Sequence, residues 1–222
     1  MSTQEIVLDT NPSTKENLQK FSWKEYLILT VAGLFGYLAA LPTTWSFIKE
    51  TADKAGIPFS FLVGEQIIQS TIWILLAVGI GLLLSRKTGL GAPILEGYLN
   101  GQAVRTELRS RILPSVSLGV FGASAAKMLD VWFFLPRMPG FSSVISQTSG
   151  WKGFLASFYG GITEEILSRL FFLTLLAWIL SWFSHTEDGQ PTKTAMWIAI
   201  LGSAVIFGLG HLPATLMTNP FS

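Results

Sequence analysis

Residues 154–183 of the chain read FLASFYGGITEEILSRLFFLTLLAWILSWF. Apart from Glu164, Glu165 and Arg169, this stretch has no charged side chain, and it exceeds the roughly 20 apolar residues that a bilayer-spanning helix needs. Four further stretches of similar character predict spans at about 26–48, 59–85, 113–135 and 194–212. The sequence therefore predicts an all-α protein, a polytopic transmembrane helical bundle of about five spans.

The overall composition supports the same class of protein. Charged residues make up 13% of the chain, against about 25% in an average soluble protein. A net charge of +1 gives no electrostatic case for binding nucleic acid. Because cysteine is absent, disulfides and cysteine-based zinc sites are excluded. The lipid bilayer is the predicted partner, and no nucleic acid is expected.

The chain divides into a tail and one long apolar domain. Residues 1–24 are polar and lack the apolar core of a secretory signal, which predicts a flexible N-terminal tail. Residues 25–222 form the predicted membrane domain. Between spans two and three, basic and apolar side chains are interspersed through 86–112, which favours an amphipathic interfacial helix over a solvated linker. The density of Lys and Arg there places this connector, and with it the N-terminus, in the cytoplasm.

Charges within a span are costly and indicate function. Glu165 and Arg169 are four residues apart, so a helix places them on one face, where they can form a buried ion pair. Glu164 lies about 100° further around the helix and has no such partner. A carboxylate of this kind in a low-dielectric site is a candidate general base. The alternative is a structural role, in which Glu165 and Arg169 form an ion pair and the Glu164 carboxyl group is protonated or extends to the membrane–water interface.

A second set of residues lies on the last span. Phe207 and His211 are four apart, and His211 is the one histidine inside a predicted span, since His185 falls in a polar loop. A histidine on an apolar face is often a hydrogen-bonded packing residue. Together with Glu164 on the preceding span, however, His211 can hold and activate a water molecule for base-catalysed hydrolysis.

The pattern Glu-Glu-x-x-x-Arg, followed one helix later by Phe-x-x-x-His, resembles the CPBP family of CAAX proteases and bacteriocin-processing enzymes, also called Abi. Leu41-Pro42 and the segment 91–96 are similar to family members too. The resemblance implies intramembrane hydrolysis of a peptide bond in a membrane-associated or prenylated (CAAX-type) substrate. It assigns water activation to Glu164 and His211, and supporting roles to Glu165, Arg169 and Phe207.

One family element is missing. The family carries a third motif, a His followed four residues later by Asn or a similar residue, which is proposed to stabilise the oxyanion. Here no histidine follows His211. The domain is therefore expected to be incomplete at its C-terminus, and losing an oxyanion donor typically lowers the rate by about 10²- to 10³-fold.

The sequence is compatible with a zinc-dependent or a metal-free mechanism, and with an enzyme or a non-catalytic protein. A catalytic zinc normally takes three protein ligands, for which Glu164 and His211 are the candidates, whereas a glutamate-type mechanism requires no cofactor. The alternative function is a non-catalytic membrane scaffold, or an immunity-type pseudoenzyme, that uses the same cavity. A transporter agrees less well with five spans that contain no internal repeat.

Overall fold

The computed structural model describes residues 21–137 and 149–218. Its α-helices are, in chain order, α1 Trp23–Ala55, α2 Phe59–Thr88, α3 Pro93–Leu99, α4 Arg105–Leu129, α5 Gly150–Phe158, α6 Thr174–Ser181 and α7 Lys193–Thr218. Three segments are π-helical, Asp130–Phe134, Tyr159–Thr163 and Ile166–Leu173, and Leu135–Arg137 forms a 3-10 turn. Most of the predicted tail, up to residue 20, lies outside the described residues.

The boundaries of the first two helices follow from local chemistry. The Ser22 hydroxyl accepts a hydrogen bond from the Glu25 N–H at 3.3 Å and so caps the start of α1. Gly56 ends α1 with a left-handed φ of 66°, and its N–H bonds back to the carbonyls of the last turn. Gly89, with φ of 68°, follows α2 in the same conformation. A two-residue connection after Gly56 thus joins α1 and α2, which pack against each other.

Among the described residues, four helices are long and apolar enough to cross a membrane, namely Trp23–Ala55, Phe59–Thr88, Arg105–Arg137 and Lys193–Leu212. The predicted span at 154–183 falls on the helical run 150–181, which is divided into α- and π-helical segments that are each short. No strand occurs in the described residues. The all-α bundle is confirmed, and the chain is an integral membrane protein, although the count of spans differs from the predicted five.

The predicted amphipathic connector at 86–112 is not one helix. Only Pro93–Leu99 forms the short helix α3, after which Gly101 adopts a left-handed φ of 75°. From Arg105 onwards the basic residues already belong to α4, which leads into the third predicted span. Because the helix is interrupted at Gly101, the apolar and basic faces of the connector are split between two helices. None of the residues of α4 is buried in the described structure.

The run 150–181, which we call the motif helix, lies at the centre of the packing. Its π-helical segment Ile166–Leu173 packs Ile166 and Leu170 into a buried cluster with Ile74, Ala77, Val78 and Leu82 of α2. On its other side α1 contacts α5 and the segment Tyr159–Thr163. The motif helix is thereby held between the first two helices and α7.

Two glycines allow this close packing. A Cβ on Gly36 of α1 would lie 2.6 Å from the Thr163 Oγ1 atom and 2.8 Å from the Phe158 carbonyl oxygen. A Cβ on Gly81 of α2 would lie 2.5 Å from the Leu170 carbonyl oxygen. At both positions the added Cβ would meet a backbone carbonyl or a buried hydroxyl, and neither group can easily move aside. Only glycine therefore lets α1 and α2 contact the motif helix at these points.

Two threonine hydroxyls form hydrogen bonds at the C-terminal ends of the π-helical segments. The Thr174 hydroxyl donates to the Arg169 carbonyl at 3.1 Å. The buried Thr163 hydroxyl donates across the helix interface to the Gly33 carbonyl at 2.7 Å. These two threonines fix the segments on either side of Glu164 and Glu165, the two α-helical residues between the π-helical turns.

Candidate active site

The structure brings Glu164 and His211 together from two helices. The Glu164 Oε1 atom lies 3.5 Å from the His211 Nε2 atom. The Glu164 side chain is 23% exposed and that of His211 55% exposed, so both can be reached from outside the protein. Since the two residues are far apart in sequence, only the packing of α7 against the motif helix creates this contact.

The backbone of α7 sets the tautomer of His211. Its Nδ1 atom lies 2.8 Å from the Phe207 carbonyl oxygen. A carbonyl can only accept, so Nδ1 carries the proton and donates. In the neutral imidazole Nε2 is then an acceptor, and it faces the Glu164 carboxylate. A water molecule that donated one hydrogen to each of these two acceptors would satisfy both.

Phe207 supports His211 in a second way. The two rings have centroids 4.5 Å apart and are inclined at 57°. Phe207 thus restricts the imidazole both through its carbonyl and through its ring. It also lines the cavity in front of Glu164.

Glu165 and Arg169 pair with each other on the motif helix. The Arg169 Nε atom lies 2.7 Å from the Glu165 Oε2 atom, and the side chains are 74% and 46% exposed, respectively. The pair has the predicted spacing, but the surrounding protein does not bury it. Both side chains instead line two cavities on different sides of the motif helix.

The cavity in front of Glu164, which we call the catalytic groove, has a volume of about 520 Å³. One wall is the motif helix and the other is α7. Its lining comprises Gly160, Glu164, Glu165, Ser168, Arg169, Leu173, Ile200, Ser203, Ala204 and Phe207. At Gly160 a Cβ would lie 3.4 Å from the Glu164 Oε2 atom, an ordinary van der Waals contact, so the carboxylate lies directly beside this residue.

Several groove residues do not appear among the residues predicted from the sequence. Ser168 follows Glu164 by one helical turn, a spacing that would have indicated it. Ser203 precedes Phe207 by the same interval on α7, but nothing in a run of apolar and small residues distinguishes it. The second cavity, of about 410 Å³ between the motif helix and residues 90–92, could not be inferred without the packing.

Few side chains that could bind a metal ion lie together in the described part of the chain. There, no group of three or more His, Cys, Asp and Glu side chains could hold one. Glu164 and His211 are two ligands, whereas a catalytic zinc normally takes three from the protein. Glu165, the nearest further carboxylate in sequence, is engaged by Arg169. The described residues by themselves therefore do not fit a zinc site.

Comparison with known proteins gives a family match for part of the chain. The family model described as Rce1-like, type II CAAX prenyl endopeptidase, matches residues 146–221. This confirms the resemblance to the CAAX proteases for the part of the chain that contains both motifs. No curated protein and no solved structure matches the chain.

Proposed function

We propose that the chain is an intramembrane endopeptidase that hydrolyses a peptide bond in a prenylated, CAAX-type protein tail. Glu164 and His211 hold and activate the attacking water. The observation that carries this proposal is the 3.5 Å approach of their side chains within the segment that matches the CAAX prenyl endopeptidase family.

The chemistry follows from the two acceptors. Glu164 takes a proton from the bound water while the water oxygen attacks the scissile carbonyl carbon. His211 accepts the second hydrogen bond of the water and so directs its lone pair. The proton held by Glu164 then passes to the departing amide nitrogen as the C–N bond breaks. The other proton of the water stays on the new carboxyl group and passes to the amine on release, so the products are a carboxylate and an ammonium group, and Glu164 returns to its starting state.

The other site residues keep the reacting side chains in position. Phe207 holds the His211 ring, and the Glu165–Arg169 pair keeps a second carboxylate away from the reacting atoms. The exposed apolar surfaces of the spans contact lipid, and the substrate reaches the groove from the bilayer.

Replacing His211 with Ala should lower kcat for a prenylated peptide by about 10²- to 10³-fold, because the water loses one of its two partners. The measurement is release of a fluorescent peptide fragment in detergent or liposomes. His185→Ala is the matched control, since the His185 Nδ1 atom bonds the Ser181 carbonyl at 2.9 Å in the same i−4 arrangement. His185 lies outside the catalytic groove. Equal losses in both variants would contradict the role of His211.

Zinc content gives an independent prediction. We expect the purified protein to bind well below one equivalent of zinc, because the described residues supply two ligands rather than three. Peptide hydrolysis should survive dialysis against a chelator. Elemental analysis of the wild type and of His211→Ala is the test. Stoichiometric zinc that is lost in the variant would contradict the glutamate-type mechanism.

The competing proposal is a scaffold that binds the same peptide and does not cut it. Binding without turnover, unchanged in Glu164→Gln and His211→Ala, would favour this reading. Turnover that depends on both residues would reject it.

A further inference from the structure

We infer that Arg169 binds the free C-terminal carboxylate of the substrate and thereby restricts cleavage to bonds near the end of a chain. This inference rests on the proposed function, because it names what the catalytic groove recognises. Arg169 lies in the same groove as Glu164 and, among the residues that the structure describes, is the one Lys or Arg in the groove's lining.

The hydrogen-bonding capacity of Arg169 is only partly used. Glu165 binds its Nε atom at 2.7 Å, and no other partner is recorded for Arg169 among the described side chains. A guanidinium has five N–H donors arranged as a fork that matches a carboxylate. The two outer nitrogens therefore remain available, and the side chain is 74% exposed. Glu165 holds the guanidinium by its inner edge and so orients the fork.

In the described part of the chain, no second Lys or Arg lines the groove to compete for an incoming carboxylate. Its other polar side chains are two carboxylates and the hydroxyls of Ser168 and Ser203. Glu164 and Glu165 repel an anion, so the charge complementarity lies at Arg169 alone. A carboxylate paired bidentately with arginine is among the strongest hydrogen-bonded contacts in proteins. A neutral amide in its place would accept from the guanidinium but would lose the charge.

The position of Arg169 on the motif helix determines how many residues separate the cleaved bond from the C-terminus of the substrate. Arg169 follows Glu164 by five residues, a rise of at most about 7.5 Å, the α-helical value, because the segment Ile166–Leu173 is π-helical and rises less per residue. An extended peptide advances about 3.3–3.6 Å per residue, so the distance corresponds to two residues, and the arginine side chain can reach about one more. The bond attacked at Glu164 would then lie two to three residues from the C-terminus. This agrees with a C-a-a-X ending, in which the prenylated Cys precedes three residues.

The experiment compares four substrates. Each is a fluorescent peptide that contains S-farnesylcysteine followed by Val, Ile and Met. One ends in a free carboxylate, one in an amide, and two carry one or three additional alanines. For the wild-type protein we expect kcat/KM to fall about 10- to 100-fold from acid to amide, as for loss of a charged hydrogen bond, and to fall further with each extension. Equal turnover of acid and amide would overturn the inference.

The variants test whether Arg169 is responsible. In Arg169→Gln the acid should be cleaved only as fast as the amide, and Arg169→Lys should keep part of the preference because it retains the charge without the fork. Arg111→Gln is the matched control. It removes another exposed i,i+4 ion pair, with an Arg111–Glu107 separation of 2.6 Å, outside the groove. A preference for the acid that persists in Arg169→Gln would overturn the inference.

Peptide binding separates this inference from the proposed hydrolysis. Affinities of the same acid and amide peptides are measured with Glu164→Gln, whose groove keeps Arg169. Tighter binding of the acid supports the role of Arg169 even if the wild type cleaves neither peptide, in which case only the proposed hydrolysis fails. Equal affinities, or binding of neither peptide, would reject Arg169 as the carboxylate site. The wild-type comparison of acid and amide decides the matter if an Arg169 variant does not fold.

Discussion

Glu164→Gln should lower kcat for prenylated peptide hydrolysis by about 10²- to 10⁴-fold, the range that general-base catalysis contributes. The amide side chain is nearly the same size and can still hydrogen-bond to a water molecule, but it cannot take the water's proton. Peptide binding and the thermal unfolding temperature should therefore change little. Single-turnover cleavage of the farnesylated peptide, measured beside the binding affinity, distinguishes a loss of chemistry from a loss of substrate.

The matched control is Glu65→Gln on α2. Glu65 is an exposed carboxylate in a predicted span and is absent from the lining of the catalytic groove. The same change of charge there should leave turnover within about twofold of wild type, since surface substitutions usually have small effects. If Glu164→Gln also retains wild-type turnover, Glu164 is not the base.

Gly36→Val should destabilise the bundle by about 1–3 kcal/mol, the usual cost of overpacking. The new Cβ would meet the Thr163 Oγ1 atom at 2.6 Å and the Phe158 carbonyl oxygen at 2.8 Å. Relief requires α1 to move away from the motif helix, which would break the hydrogen bond from Thr163 to the Gly33 carbonyl. Because Thr163 directly precedes Glu164, we expect catalytic activity to fall together with stability.

Reversible unfolding in mixed detergent measures the change in the free energy of unfolding. Gly64→Val is the control, since Gly64 lies in helix α2 and a Cβ there meets nothing within 4 Å. That variant should be neutral or slightly stabilised, because valine has a higher helix propensity than glycine. Equal destabilisation at both positions would mean that helix propensity or insertion, rather than contact with the motif helix, explains the loss.

Membrane character and helical class were readable from the sequence because they depend on composition summed over long stretches. The same holds for the Glu165–Arg169 pair, whose spacing along one helix is fixed by local geometry. The predicted boundaries of the helices are less accurate. The interfacial connector was predicted as a single helix, but the left-handed backbone at Gly101 divides it, a feature that the alternating polarity of 86–112 does not reveal.

The π-helical turns around the acidic pair were not predicted. At the end of the first of the two turns, the Thr163 hydroxyl donates to the Gly33 carbonyl of α1, a contact that only the packing of α1 supplies. Sequence patterns for an α-helix and for a helix with π turns are nearly the same, because both place apolar residues on one face. The enclosing packing, with Gly36 and Gly81 in close approach, decides between them.

The sequence by itself determined that this is a membrane-embedded helical protein, that charge is concentrated in 164–169, and that a histidine lies on the next apolar helix. Those properties are local, set by hydrophobicity and by the helical repeat. The pairing of Glu165 with Arg169 follows from their spacing on one helix, whereas only the tertiary structure decided that Glu164 meets His211. Adjacent residues on a helix point about 100° apart, so the role of each carboxylate depends on which neighbouring helix packs against its face.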